Sequence, residues 1–235
     1  MLVIRSLIFL LLQIIITPFF ATLALFTFPF SRLTRYRIIS QWAKMMLPLL
    51  RMVCGIHHEV KGLENLPKRP CVVMCKHQSA WETLALQKVF PPQVWVLKRE
   101  LLWIPFFGWA LALTSPIAIK RSDGKGAMKQ LLEQGKQRLA QGFCVVVFPE
   151  GTRVPYGHRG KYKIGGAMLA ASCGVPVVPV AHNAGRLWGR NAFSKHPGLI
   201  TMSIGAPIET NGLKADEIIQ RVEAWIENEI RNLDH

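Results

Sequence analysis

CVVMCKHQSAWET, residues 71–83, is the stretch of sequence that decides the fold of this chain. Its first five residues are apolar, as expected of a short strand buried on both faces of a sheet. Lys76 and His77 follow directly, and a helical pattern begins near Trp81. A strand, a polar turn and a helix in succession form the building unit of an α/β protein.

The rest of the chain alternates in the same way. Predicted strands occupy residues 71–75, 94–98, 116–120, 144–148, 176–180 and 199–205. Predicted helices occupy residues 81–90, 126–141, 165–173 and 216–233, and the last of these carries its apolar residues on one side. This alternation predicts an α/β fold, in which a sheet is covered by helices.

The N-terminus has a different composition. Residues 6–30 contain no charged side chain, and a run of about 20 apolar residues is enough to cross a bilayer as a helix. Because Pro18 lies within this run, a kinked membrane helix and a helical hairpin are alternative predictions. A cleaved signal peptide is disfavoured, since the apolar run is too long and lacks a clear small-residue cleavage site.

Basic residues follow the apolar run. They are Arg32, Arg35, Arg37, Lys44 and Arg51. This asymmetry predicts that the rest of the chain lies on the cytoplasmic side of a membrane. Residues 38–53 are apolar-rich and include two of these basic residues and Trp42, a pattern that suits either a helix at the membrane interface or a buried core helix.

The net charge of +15, from 29 Lys and Arg against 14 Asp and Glu, favours an anionic partner. The basic residues are spread along the chain and no nucleic-acid-binding motif is present, so we expect anionic membrane lipid and no nucleic acid. Five cysteines, an odd number in apolar settings, argue against a disulfide framework and indicate a reducing compartment. Cys71 and Cys75 would share one face of a strand, which predicts core packing.

His77 and Glu82 carry the chemistry of the opening stretch. Five residues apart, they meet only if His77 lies on the turn before the helix that contains Glu82. A carboxylate that holds one imidazole nitrogen lets the other act as a general base. Alternatively, Ser79 begins the helix and Glu82 completes a capping box. No metal is expected, since the adjacent His57 and His58 lack a ligand pattern.

Four sequence blocks occur in order along the chain. They are His77 with Glu82, SPIAIKR at residues 115–121, FPEGTR at residues 148–153 and VVPV at residues 177–180. Together they resemble the lysophosphatidic acid acyltransferase family of glycerolipid acyltransferases, over roughly residues 60–207. In the first block the family more often has Asp in the place of Glu82. In the second block Ser115 stands in the place of a family glycine, and Arg121 matches.

The resemblance implies a glycerolipid acyltransferase-type α/β sheet, with residues 1–55 as membrane anchor and interfacial helices and residues 56–235 as catalytic domain. It implies acyl transfer from acyl-CoA or acyl-acyl carrier protein to the sn-2 hydroxyl of lysophosphatidic acid, without a cofactor. It also implies an enzyme at the inner membrane of a bacterium, with its catalytic domain on the cytoplasmic side.

Site residues follow from the same blocks. His77 is the expected general base and Glu82 its orienting carboxylate. The backbone amides of Gly151 and Thr152 are candidate oxyanion donors. The expected phosphate-binding side chains are Arg121 and Arg153, followed by Lys120 and Lys98. Glu150 is the remaining substrate-binding candidate, and it could hold either an Arg or the glycerol of the acceptor.

Three alternatives compete with this interpretation. AASCG at residues 170–174 faintly resembles the nucleophile turn of serine hydrolases, but the order of strand and helix around it is reversed. A basic membrane-surface binding protein would explain the anchor and the charge, but not His77 paired with Glu82. Within the family, the acceptor could be another lysolipid, such as lyso-ornithine lipid.

The match of Arg121 to a family arginine predicts a role in reading the acceptor phosphate. Replacing Arg121 with Ala should lower kcat/KM for lysophosphatidic acid by about 2–4 kcal/mol, and far less for a neutral monoacylglycerol. Arg121→Lys should restore only part, because a point charge replaces a planar fork. Steady-state rates with both acceptors test this, and equal losses on both would make Arg121 structural.

Overall fold

The computed structural model describes residues 1–120 and 122–233, in which seven strands form one sheet. The strands are β1 (Ile56–Lys61), β2 (Val72–Cys75), β3 (Gln93–Lys98), β4 (Ile117–Ile119), β5 (Cys144–Val147), β6 (Val177–His182) and β7 (Gly198–Ile204). Their order is β1-β7-β6-β2-β5-β3-β4. The β6–β7 pair is antiparallel and the other neighbours are parallel, which places β2 among buried central strands.

The described residues also form nine α-helices. They are α1 (Leu2–Leu25), α2 (Arg32–Ile39), α3 (Gln41–Cys54), α4 (Trp81–Val89), α5 (Phe107–Leu113), α6 (Gly124–Ala140), α7 (Gly165–Cys173), α8 (Ala184–Leu187) and α9 (Ala215–Leu233). Two short 3₁₀ segments, Leu63–Asn65 and Arg99–Trp103, lie between them.

The side chains of β2 alternate between two hydrophobic cores. Val73 and Cys75 pack in a core with α1, α3 and α4. Val72 and Met74 pack in a second core with α6, α7 and α9. Because β2 has no exposed face, its sequence lacks the polar alternation of a half-exposed strand. The result is a sheet between two helical layers, as the sequence predicted.

The six predicted strands and four predicted helices are confirmed, with small shifts at their ends. β1 is not among the six predicted strands, although His57 and His58 suit the start of a strand; its residues HHEVK alternate between half-buried and exposed positions at the sheet edge. The short helices α2, α5 and α8 were not predicted either. Helices of four to eight residues carry too little periodic signal to be recognised from sequence.

The apolar N-terminus forms one continuous helix. α1 runs through Pro18 without turning back, so the hairpin at Pro18 is not formed. It is the one helix in the described ranges that is long and apolar enough to cross a membrane. α3 packs antiparallel to it, with Cys54 near Arg5 and Trp42 donating to Thr17. The division at residue 55 stays a prediction, because α1 and α3 share a core with the sheet.

The segment at residues 38–53 largely coincides with α3, and one face of this helix is buried. Ala43, Met46, Leu47 and Leu50 are buried against the sheet and α4. The core-helix prediction is therefore confirmed for this face, and contact of the exposed face with a membrane interface stays a prediction. Cys71 and Cys75 are fully buried in the same core, so the prediction of core packing for both is confirmed.

Ser115 occupies a backbone conformation that favours glycine. Its φ angle is 60°, in the left-handed region, and its carbonyl accepts a hydrogen bond from Arg138 Nε at 2.7 Å. The turn is therefore retained although the family glycine is replaced by serine. An L-residue pays roughly 1–2 kcal/mol for a left-handed conformation.

Ser115→Gly should consequently stabilise the protein. We expect a gain of about 0.5–1 kcal/mol, because relief of the strain exceeds the added entropy of an unfolded glycine. In a chain of this size the melting temperature should rise by about 1–4 °C. Thermal unfolding in detergent measures it, with Ser115→Ala as the control that keeps the strain. An unchanged or lower melting temperature for Ser115→Gly would contradict this account.

Candidate active site

Three neighbouring strands end at the same edge of the sheet and bring polar residues together there. His77 follows β2, Glu150 follows β5, and His182 is the last residue of β6. In parallel α/β sheets, ligands bind beyond the carboxyl ends of the strands. The topology thus places a candidate site at the end of β2, where the sequence predicted one.

His77 and Glu82 are in direct contact. His77 Nδ1 lies 2.7 Å from Glu82 Oε1, and the Glu82 side chain is fully buried. The backbone amides of Gln78 and Ser79 donate to the same carboxylate at 3.1 and 2.9 Å. With Nδ1–H directed at Glu82, the second ring nitrogen of His77 is left as an acceptor.

The two interpretations of Glu82 from sequence are compatible. Glu82 accepts the Ser79 amide while the Ser79 hydroxyl accepts the Trp81 amide at 3.1 Å, just before α4 begins. These bonds resemble a capping box. The difference is that the Ser79 hydroxyl accepts the amide two residues ahead of it, where a capping box uses the amide three residues ahead. The same carboxylate holds His77, because the turn places the imidazole over the first turn of the helix.

Burial alone would raise the pKa of Glu82. The neighbouring His182, the contact with His77 and the Ser79 amide together outweigh that effect and hold the pKa below its ordinary value. Glu82 is therefore a carboxylate at neutral pH. A buried negative charge beside an imidazole stabilises the imidazolium that would form when His77 takes up a proton.

His182 lies behind this pair and was missed from sequence. It is fully buried; its Nδ1 accepts the Ala184 amide at 3.2 Å and its Nε2 donates to the Lys76 carbonyl at 2.9 Å. Nε2 is also 3.8 Å from Glu82 Oε2. Burial lowers the pKa of His182, so it is a neutral donor that faces the carboxylate. Its only signal in sequence was its position at the end of a predicted strand.

Lys76 is a buried charge next to the site. Its Nζ lies 2.8 Å from Glu150 Oε1 and 2.8 Å from Glu227 Oε1 of α9, and donates to the His158 carbonyl at 3.2 Å. Tyr162 donates to the same Glu227 oxygen at 2.8 Å. Such a cluster persists only when each charge is paired, and here it joins α9 to the turn before His77.

Glu150 is part of this cluster and does not line the cavity at His77. Its Oε2 accepts the His77 amide at 2.8 Å, and its side chain is fully buried. Burial raises the pKa of Glu150, and Lys76 and the His77 amide work against the rise. Both of its oxygens face groups of the protein, Lys76 and the His77 amide, and the contact of Glu150 with substrate stays a prediction.

The Gly151 amide is also committed within the protein. It donates to the Phe148 carbonyl at 3.0 Å, which closes a turn with a φ of 70° at Gly151. An amide engaged in a turn is poorly placed to stabilise an oxyanion, and the oxyanion role of Gly151 stays a prediction. Thr152, the next residue, is exposed at the same turn.

An apolar cavity of about 350 Å³ begins at His77. The imidazole stacks on Phe148 at 3.8 Å between ring centroids, and Phe148 stacks in turn near Trp95 at 5.7 Å. Beyond these rings the walls come mainly from β3, α5 and the three N-terminal helices. The cavity therefore combines the imidazole of His77 with largely apolar walls.

The predicted phosphate-binding residues fall in different places. Arg153 and Lys98 line the cavity together with His77. Lys120 follows the edge strand β4, is exposed, and is not part of the cavity wall. Arg121 lies outside the described residues. Within those residues, no group of three or more His, Cys, Asp or Glu side chains could hold a metal ion.

A protein-family model described as acyltransferase matches residues 57–183. The chain is 47% identical over 228 residues to a 1-acyl-sn-glycerol-3-phosphate acyltransferase of Pseudomonas aeruginosa, covering 95% of this chain and 89% of that protein. It is 33% identical over 178 residues to the alpha form of that enzyme from Bos taurus, covering 74% and 62%.

The fold has a counterpart among solved structures. The crystal structure of the 1-acyl-sn-glycerophosphate acyltransferase from Thermotoga maritima superposes with a TM-score of 0.81 and covers 99% of this chain and 96% of that one. At 24% sequence identity, this similarity supports the architecture of sheet, helices and N-terminal helix.

The buried cluster around Lys76 should be costly to break. Lys76→Met leaves the Glu150 carboxylate buried without its cation, which should destabilise the protein by about 3–5 kcal/mol. Lys76→Met combined with Glu150→Gln should be more stable than Lys76→Met alone, since the uncompensated charge is gone. Thermal unfolding compares them.

The matched control for this experiment is Lys129→Met. Lys129 forms an exposed pair with Glu133 on α6, and its loss should cost less than about 0.5 kcal/mol. If Lys76→Met melts like Lys129→Met, the buried cluster does not hold the turn before His77.

Proposed function

The chain belongs to the 1-acyl-sn-glycerol-3-phosphate acyltransferase family, and we infer that it transfers a fatty acyl group from an acyl thioester to the sn-2 hydroxyl of lysophosphatidic acid, which gives phosphatidic acid. The observation that carries the mechanism is the 2.7 Å contact of His77 with Glu82 at the wall of a largely apolar cavity. A protein that only bound membrane surfaces would have no use for this pair.

His77 acts as the general base. With Nδ1–H bound to Glu82, the second ring nitrogen takes the proton of the acceptor hydroxyl as its oxygen attacks the thioester carbonyl. The tetrahedral intermediate collapses as the carbon–sulfur bond breaks, and the imidazolium returns the proton to the leaving thiolate. The products are the new ester and a free thiol, so no side chain of the enzyme needs to form a covalent bond.

Glu82 supports this cycle as a fixed negative charge. It gains no proton, because two backbone amides and His77 donate to it. His182 faces the other carboxylate oxygen as a neutral group, which helps to keep the carboxylate in place. The developing oxyanion requires donors of its own, and the Thr152 amide is our candidate for one of them.

The acceptor phosphate is assigned to basic residues near His77. Arg153 and Lys98 are supported by their place in the cavity wall, and a guanidinium can bind two phosphate oxygens in a fork. Arg121 is retained from its position in the sequence motif. Lys120 is a weaker candidate, because it lies away from this cavity.

The fatty acyl chain is assigned to the apolar interior of the cavity. Its walls include Phe20 and Ala21 of α1, and Leu111 and Ala110 of α5, so an acyl chain bound there would be shielded from water. Acyl-CoA and acyl-acyl carrier protein carry the same thioester, and either would place its carbonyl near His77. Lyso-ornithine lipid is the alternative acceptor, with a free hydroxyl of its own and a different headgroup.

Membrane association follows from the composition of α1, and we propose that the domain faces the cytoplasm. The residues after α1 are basic, as expected for segments retained on the cytoplasmic side and attracted to anionic lipid. α1 is in contact with the domain along its length, from Ser6 bound by the Lys195 amide to Ala24 packed with α5. This supports a helix that lies against the domain at the membrane.

Substitutions at Glu82 test the proposed mechanism. Glu82→Gln keeps an acceptor for the backbone amides but removes the charge that stabilises the imidazolium, so kcat should fall roughly 10²–10⁴-fold. Glu82→Asp should retain more activity than Gln, since the charge remains. His77→Ala should be near background with either Glu82 variant, because the two residues act as a unit.

The measurement is the initial rate of thiol release with saturating lysophosphatidic acid, beside the melting temperature of each variant. Parallel assays with lyso-ornithine lipid and with both thioester donors identify the preferred substrates. Should Glu82→Gln turn over like the unmodified protein, or lose rate only in step with stability, Glu82 would be a helix cap and no more.

A further inference from the structure

A second apolar surface lies outside α1, in residues 101–109, LLWIPFFGW, here called the aromatic loop. Its exposed side chains are Leu101, Trp103, Ile104, Phe106, Phe107 and Trp109. Trp103 is 70% exposed and Phe106 is 58% exposed. Single exposed apolar residues are common on proteins, but a contiguous patch with four aromatic rings marks a surface that meets something other than water.

The backbone of the aromatic loop holds this surface outward. Phe106 has a φ of 59°, in the left-handed region that bulky residues rarely adopt. Its ring lies 5.2 Å from that of Trp109, between centroids. A disfavoured conformation persists where the surroundings fix it, and such positions often serve function. Phe106 therefore combines a strained backbone conformation with an exposed ring.

The aromatic loop is continuous with the apolar surface of α1. It leads into α5, where Ala110 packs against Ala21 and Ala24 near the end of α1. The turn after α1 exposes two further aromatic residues, Phe26 and Phe28, at 73% each. Loop, turn and helix therefore form one apolar surface, of which α1 is the part long and apolar enough to cross a bilayer.

The aromatic loop also forms the rim of the cavity that contains His77. Leu101 and Phe107 line that cavity while remaining 39% and 42% exposed, so they stand where it opens. Exposed basic side chains lie close to the loop in sequence or fold, among them Arg99 just before it and Arg32 in α2, which contacts α5. Aromatic and basic residues together are typical of segments at a membrane interface.

We propose that the aromatic loop inserts into the interfacial region of an anionic lipid bilayer, and so presses the opening of the cavity against the lipid. α1 alone would tether the protein, whereas the loop would orient it. A lysolipid could then enter the cavity from the bilayer without crossing water. Only the identity of that lysolipid rests on the proposed function.

Insertion depth is the first test. In the full chain, Trp103 is replaced by Cys and labelled with nitrobenzoxadiazole, and the protein is bound to phosphatidylcholine–phosphatidylglycerol vesicles. Cys144→Ala and Cys173→Ser remove the partly exposed native thiols. The matched control is Ala224→Cys on α9, an exposed position on the opposite helical layer. Lipids with a spin label in the acyl chain should quench the fluorescence of the label at position 103 and leave the fluorescence of the label at position 224 unchanged.

Catalysis at the membrane is the second test. Trp103→Ser with Phe106→Gly should lower kcat/KM for lysophosphatidic acid embedded in vesicles by on the order of tenfold. Use of a short-chain, monomeric lysophosphatidic acid should be unchanged. Phe106→Gly also relieves the strained φ angle, so the melting temperature should not fall. Leu199→Ser, at an apolar residue of β7 that is 50% exposed, should leave both rates unchanged.

Three results would overturn the proposal. One is equal quenching at positions 103 and 224. Another is an equal loss with embedded and monomeric acceptor, which would place the effect within the cavity. The third is shielding of the label at position 103 from a water-soluble quencher in the absence of vesicles, if this shielding increases with protein concentration. That result would mean that the loop joins two copies of the chain. A protein that is quenched at 103 but acylates no lysophosphatidic acid would refute the proposed function instead.

Discussion

A buried carboxylate must have its acceptor oxygens occupied, and Glu82 meets this requirement with the groups that define the site. The donors are His77 Nδ1 and the amides of Gln78 and Ser79, all within 3.1 Å. The turn after β2 must therefore bend so that three successive residues point at one side chain of α4. An unsatisfied charge at this depth would cost several kcal/mol, so the helix start, the turn and the imidazole orientation are fixed together.

A second cluster of buried charges fixes the same turn from the other side. Lys76 lies between Glu150 and Glu227, and Glu150 also accepts the His77 amide. The cluster thus joins the ends of β2 and β5 to α9, which is distant in sequence. Its members are conspicuous polar residues, yet their contacts are with one another. Charges close to a site can support its shape: Glu150, a predicted substrate contact, pairs in this structure with Lys76 and the His77 amide.

The N-terminal helices contribute to two functions at once. α1 and α3 complete one hydrophobic core of the sheet, and α1 also forms part of the wall of the cavity that begins at His77. The proposed sites of membrane contact and acyl-chain binding therefore share one helix and are not separate modules. A change on the inner side of α1 would alter the cavity, whereas a change on its exposed side would alter only contact with the membrane.

The sequence by itself determined the α/β class, the strand before His77, the helix that carries Glu82, the apolar helix at the N-terminus, and the family. These depend on local patterns: an apolar run of five residues, a spacing of five, and an uncharged stretch of 25. Each is readable because strand, turn and helix preferences act between near neighbours in the chain.

Only the tertiary structure decided which polar groups meet. His182, Lys76 and Glu227 come from three distant parts of the chain and lie around Glu82 and Glu150, and no spacing in the sequence relates them. It also decided that the Gly151 amide donates a hydrogen bond within a turn, and that Ser115 adopts a left-handed backbone conformation typical of glycine. The physical reason is that strand order sets which loops converge, and strand order depends on the packing of two cores on one sheet rather than on any local segment.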